Sequence, residues 1–273
     1  MSPREVELAV RTCPGPNVSD RNRSLNHEIW SLERNHDSVM IMGNLVIYTS
    51  SDAIGTIVMD DGKVNALSLQ MLAELNVALD RAEADKVAVV LTGRQGIFSA
   101  GFDLRVLRGG GTDAYDMLRG GFALAVRMLT FPTPVVVACT GHAIAMASFL
   151  LLSADYRIGT SGAFRIGANE VAIGLTMPLA AIEICRARLN PQHFNRSIIN
   201  AEIYDPAGAV EAGFLDRAVS EADLIAEARE TARALATLDM TAHAATKIRA
   251  RAQAMSAIRE AIVEDDAFLR TLA

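Results

Sequence analysis

The chain has 273 residues, enough to bury a substantial core as one large α/β domain or two small ones. Hydrophobic residues make up 51%, which argues against disorder, and a formal charge of -6 with no basic run argues against a nucleic-acid surface. Cys13, Cys139 and Cys185 are few and far apart, and no C-x-x-C or H-E-x-x-H spacing occurs, so no metal site is expected.

Residues 1–42 are polar, interrupted by Cys13-Pro14-Gly15-Pro16, and read as an N-terminal extension. Leu25, Ile29 and Leu32 share one face of a helix expected over Asp20–Glu33. Five arginines here are interleaved with Glu5, Glu7, Asp20, Glu28 and Glu33, which departs from the acid-poor pattern of a transit peptide, and Met40 and Met42 are alternative starts. Apolar runs such as Val135–Cys139 and Phe149–Leu152 are too short to cross a bilayer. A soluble, cytoplasmic protein without membrane or nucleic-acid partners is the expectation.

From Gly43 the signals alternate between strand and helix. Leu45–Thr49 and Ile54–Met59 read as paired strands, and Ser68 caps an amphipathic helix to about Ala84. Val87–Thr92 and Val135–Cys139 are continuous apolar runs, as buried parallel strands are. Between them lie a loop, with Gly109-Gly110-Gly111 read as flexible, and a helix from Thr112 to Leu129 that Phe131-Pro132-Thr133-Pro134 ends. A short strand follows at Tyr156–Gly159. Helices are then expected at Leu179–Leu189, Gln192–Ile199, Pro206–Ala212, Ala222–Leu238 and Thr241–Ile262. The rhythm predicts a spiral α/β core over residues 43–200 and a C-terminal helical region over 201–273, covering the core or a neighbouring subunit.

Two segments look able to bind a developing anion. Phe98-Ser99-Ala100-Gly101-Phe102-Asp103-Leu104 and Thr140-Gly141-His142-Ala143-Ile144-Ala145-Met146-Ala147 each follow an apolar strand with small residues and open a helix. Such turns present unpaired backbone N–H groups, and a preorganised donor pair of this kind can stabilise an oxyanion. Taken singly, each is equally an ordinary tight turn.

These two segments, with Val64-Asn65-Ala66-Leu67 before them and Asp205–Asp216 after, resemble in order and spacing the crotonase superfamily of enoyl-CoA hydratases and isomerases. The resemblance runs from about residue 43 to the end. It implies a crotonase-type spiral of strand-strand-helix repeats with a C-terminal helical region, acting on acyl-CoA thioesters. Coenzyme A would then be part of the substrate, with no separate cofactor, and the assembly a homotrimer or homohexamer.

The resemblance assigns one oxyanion N–H to Phe102 and the other to Met146, where the family has the middle glycine of a triple. Met146 would narrow the pocket. It also places coenzyme A along Lys63, Asn65 and Ala66 and along Ala100, Asp103, Leu104 and Arg105, with Lys63 and Arg105 near the phosphates. Asp155 matches a structural aspartate, and His142 reads as a packed neighbour of the turn. His193 and His243 read as surface residues.

The carboxylates distinguish the reactions. Hydratases of this family use two glutamates, and the first falls here on Phe149. The second falls on Glu170, preceded by Asn169 where a proline is usual, and with about two extra residues between Phe164 and Glu170. Adding water across a double bond needs a base on the water and an acid at carbon. Moving a double bond from C3 to C2 needs a single group that takes a proton at C2 and returns it at C4. The expectation is therefore a Δ3,Δ2-enoyl-CoA isomerase with Glu170 as the single acid/base and Phe149 and Asn169 in the pocket. A hydratase, another lyase or a hydrolase of the same fold, and a degenerate member that binds acyl-CoA without turnover, are the rival readings. A hydrolase would carry an aspartate shortly after Gly174, where Leu175-Thr176-Met177-Pro178 stand.

Overall fold

The computed structural model describes residues 38–41 and 43–270. Most of the N-terminal extension, including the helix expected over Asp20–Glu33 and Cys13, lies outside the described residues. Of that extension, Ser38–Ile41 form a strand, β1, antiparallel to β2 (Val46–Ser51).

Strand β2 turns back through Asp52 and Ala53 into β3 (Ile54–Met59), the pair read from sequence. Helix α1 (Leu69–Asp85) is capped as expected, the Ser68 side chain accepting from the Met71 amide. It leads to β4 (Ala88–Thr92), whose five residues are all buried, as are the five of β6 (Val135–Cys139). Alternation explains both. Val89 and Leu91, like Val135 and Val137, face the main core, while Ala88, Val90, Val136 and Ala138 face Leu224, Ala228 and Ala232 of α8 (Leu224–Ala236). With β8 (Tyr156–Thr160) and β10 (Arg217–Val219) these strands make one sheet, ordered β1-β2-β3-β4-β6-β8-β10 and parallel from β3 onward.

A second sheet was not anticipated. Strands β5 (Gly96–Ser99), β7 (Gly141–Ile144) and β9 (Ile166–Gly167) pair in parallel in that order. Each follows one main-sheet strand after a short connection, and a helical segment follows each. After β5 come α2 (Leu104–Gly109) and α3 (Gly111–Thr130). After β7 comes α4 (Met146–Ser153), and after β9 a single 3-10 turn (Val171–Ile173) and α5 (Leu179–Arg188). This is the strand-strand-helix repeat. The glycines 109–111 are not the flexible loop expected: they join α2 to α3 through Gly110 alone, at φ 64°.

The tail holds α6 (Pro191–Ile198), α7 (Pro206–Ala212), α8, α9 (Met240–Ala250) and α10 (Ala252–Arg270). The single helix expected over Thr241–Ile262 is two, broken at Arg251, whose φ of -95° and ψ of 1° leave the helical register. Helix α10 packs on α5 and α3 of its own chain. There the Asp265 carboxylate accepts from the Leu179 and Ala180 amides, each at 2.9 Å, capping α5 where Pro178 has no side-chain acceptor to offer. No helix among the described residues is long and apolar enough to cross a membrane.

Candidate active site

The small sheet organises the site. Because β5, β7 and β9 are parallel, with Ser99 beside Ala143 after a register shift past Ile97 and with Ile144 beside Gly167, the chain leaves all three strands at one edge. Those exits are Ala100–Phe102, Ala145–Met146 and Ala168–Glu170. Three segments far apart in sequence are thereby brought side by side.

The first exit depends on Gly101, at φ 85°, a backbone region closed to most side chains. A Cβ there would lie 2.8 Å from the Ile144 carbonyl oxygen and 3.3 Å from the Met146 nitrogen, so the two turns touch. The Gly101 amide donates to Ser99 Oγ, and Ser99 Oγ donates to the Asn65 carbonyl at 2.7 Å. Asn65 is fully buried, and its amide group reaches the carbonyls of Met59 and Phe98. Asn65 is therefore a brace beneath the turn. The amides of Lys63, Asn65 and Ala66 all donate to the Asp61 carboxylate, and that of Ala100 to the Val64 carbonyl, so these donors are spent inside the protein. Asp103 caps α2 and pairs with Arg105 at 3.0 Å; Arg105, Leu104, Lys63 and Ala100 are exposed.

The second exit is built without glycine. Ala145 sits at φ 55°, ψ -128°, a region costing an L-residue about 1–3 kcal/mol. Its amide donates to the Gly167 carbonyl at 3.0 Å, and its carbonyl accepts from both the amide and the hydroxyl of Ser148 at 2.8 Å. Met146 then opens α4, so its amide is a first-turn donor without an intrahelical acceptor. Neither the Met146 nor the Phe102 amide donates to another described residue. The Phe102 ring rests on α3 where Gly121 leaves room: a Cβ at Gly121 would collide with Phe102 Cζ and stand 3.5 Å from Met146 Cγ. Met146 is fully buried, and Phe149 stacks on Phe122 with centroids 6.5 Å apart.

The third exit carries Glu170. It is buried, and its Oε2 has no partner among the described residues; nor does the buried Oδ1 of Asn169 beside it. Burial pushes the Glu170 carboxyl up to about 7, only partly offset by the backbone amides of Glu170 and Asn169. Beside it the Cys185 thiol is pushed well above its usual value, by burial first and then by the Glu170 charge. Cys139 and Cys185 are both buried free thiols.

The remaining polar residues find structural places. His142 accepts the Arg165 amide at Nδ1 and packs edge-on against Phe164. His193 and His243 are half-buried rather than on the surface, His193 against Tyr204 and His243 with its Nε2 enclosed. Asp155 ties the start of β6 to α9 and to the break that follows it, accepting from the Val135 amide, Lys247 and Arg251.

A spiral α/β scaffold with two unpaired amides at adjoining strand-to-helix turns and a buried carboxylate beside them defines the crotonase class. The chain belongs to the enoyl-CoA hydratase/isomerase family, whose model matches residues 49–272. It is 49% identical to a Mycobacterium ulcerans protein described as an enoyl-CoA hydratase, over 82% of this chain and 99% of that one, with a TM-score of 0.80. A Mycobacterium tuberculosis protein, described as an enoyl-CoA isomerase in one structure and as a probable enoyl-CoA hydratase in another, is 48% identical, in the first over 81% of this chain and 97% of that one with a TM-score of 0.78. The mouse mitochondrial enoyl-CoA delta isomerase 1 is 30% identical over 171 residues, and the match covers 61% of this chain and 59% of that relative's length. Both names occur at nearly equal identity.

Proposed function

We propose that the protein is a Δ3,Δ2-enoyl-CoA isomerase. The observation that carries this reading is a buried carboxyl, Glu170, whose Oε2 has no partner among the described residues and whose pKa is raised to about 7; by the family resemblance, the buried Phe149 stands where a hydratase has its second carboxylate. The thioester oxygen accepts from the Phe102 and Met146 amides. Glu170 takes a proton from C2; the electrons spread from C2 through the C3–C4 bond and onto that oxygen, and the two amides stabilise the charge. The protonated Glu170 then returns the proton at C4, which leaves the double bond between C2 and C3. A carboxyl with a pKa near neutrality suits both halves of that transfer. The apolar wall of Phe102, Met146 and Phe149 offers no second group to activate water. Exposed Lys63 and Arg105 are assigned to the coenzyme A phosphates in this reading, and the assembly to a homotrimer or pair of trimers.

Hydration is the second reading, favoured by the name of the Mycobacterium ulcerans relative. Purified protein assayed with 3-enoyl-CoA and with 2-enoyl-CoA separates the two. Migration of the double bond that disappears in Glu170→Gln supports the isomerase. Hydration of 2-enoyl-CoA at a comparable rate overturns it, and binding of both thioesters without turnover supports a degenerate member.

A further inference from the structure

A cavity of about 750 Å3 lies where the main-sheet strands begin, and it shares no lining residue with the candidate active site. Its floor is Asp155 and Tyr156 at the start of β8. Its walls come from α5, the end of α8, α9 and α10. On the apolar side stand Leu129, Ile184, Leu235 and Met255, and on the charged side Arg188, Lys247 and Arg251.

The charges there do not balance. The Asp155 carboxylate is shared by the Val135 amide at 2.7 Å, Lys247 Nζ at 2.6 Å and Arg251 Nη2 at 2.9 Å. Lys247 also donates to the carbonyls of Phe131 and Thr133, so the ammonium is satisfied. Asp239, on the rim, caps α9 through the Ala242 amide. Arg157, the next cation, is held by Asp216 at 2.6 Å.

Arg188 has no such partner. It makes no ion pair among the described residues; its Nη2 donates to the Ala154 carbonyl at 2.8 Å and its Nε is enclosed without an acceptor. Burial, and then the charges of Arg157 and Arg251, push its pKa down to about 10. The nearby carboxylates of Asp216 and Asp155 act on it only at a distance, being already paired with Arg157, Lys247 and Arg251, and a sequestered guanidinium without an ion pair of its own costs free energy, which a bound anion offsets. The flat fork of the guanidinium matches a carboxylate, and the cavity has the size of ordinary small-molecule sites.

We propose that this cavity binds an organic monocarboxylate, with its head group on Arg188 beside Arg251 and its apolar body against Leu129, Ile184, Leu235 and Met255. One uncompensated cation above apolar walls favours a singly charged amphipathic anion over inorganic phosphate.

The test is calorimetric titration of the full-length chain with hexanoate, using 1-hexanol and inorganic phosphate as probes of each half of the ligand. Hexanoate is expected to bind saturably and more tightly than either probe. Arg188→Met is expected to weaken it about tenfold by removing a charge-assisted bond. If that variant fails to fold, Leu238→Glu places a carboxylate at the exposed rim without disturbing the core; it should weaken hexanoate to a similar degree and leave acyl-CoA turnover unchanged. The proposal is overturned if hexanoate shows no saturable binding, or if it binds these variants as well as the parent. Competition by an acyl-CoA overturns it too, because hexanoate would then be in the active site. So does hexanoate-independent dissociation of an oligomer by Leu238→Glu, which would assign the cavity to a second copy of the chain.

Discussion

Two carboxyl groups, the half-buried Asp155 just before β8 and the buried Glu170 just after β9, are treated in opposite ways. Asp155 is surrounded by donors: a strand amide, an ammonium and a guanidinium all within 2.9 Å. Glu170 has an enclosed oxygen with no partner among the described residues, and its carboxyl is pushed up to about 7. The first arrangement joins β6 to α9 and to the break at Arg251. The second is costly, and its cost is characteristic of groups kept for proton transfer rather than for holding a fold together.

Replacing each carboxylate should therefore damage a different property. Glu170→Gln is expected to lower double-bond migration about 10^2- to 10^4-fold, the usual contribution of a positioned acid/base. In the parent, kcat/KM should rise with pH through about 7 as Glu170 ionises, and the variant should lose that limb. The sign for stability is the reverse. A carboxyl whose folded pKa lies above its unfolded value stabilises the fold fully below the unfolded value of 4.5, and that contribution is lost as pH rises through about 7. Glu170→Gln should thus be more stable than the parent by about 1–3 kcal/mol above about pH 8, as read by urea unfolding. A variant that is less stable there removes the contrast with Asp155. Asp155→Ala should cost about 3–5 kcal/mol, since Lys247 and Arg251 lose the carboxylate they share.

Smaller changes probe how the two turns that carry the Phe102 and Met146 amides are set. Gly121→Ala pushes on the Phe102 ring and should lower kcat about 10- to 100-fold, while KM changes less, because the amide and not the binding surface is displaced. Ala145→Gly relieves the strain at φ 55° but loosens the unfolded chain, so the net gain in stability should stay within about 1 kcal/mol. A large loss in urea unfolding would mean that Ala145 is not strained.

Much of the scaffold was legible in the sequence, because short, valine-rich continuous apolar runs such as those of β4 and β6 suit strands buried on both faces. Glu170, Phe102 and Met146 came from a resemblance, and the structure brings their segments to one edge. The device that does so was hidden. Strands β5, β7 and β9 have four, four and two residues, too few to show a period, and β7 is rich in small residues that read as a loop. The brace at Asn65 was missed for another reason. Its effect comes from hydrogen bonds to Met59 and Phe98, and a buried asparagine has the same sequence signature as one that meets a ligand. The break at Arg251 lacks proline or glycine, so nothing local announced it.

The Asp265 carboxylate places the helix packed beside Glu170 under the control of the far end of the chain. It holds the first two amides of α5, and that helix carries Cys185 to the side of Glu170. Trimming the protein back past residue 265 would uncap those donors, and the damage would surface some ninety positions upstream. Shortened versions of this protein accordingly need their turnover checked, and not only their solubility.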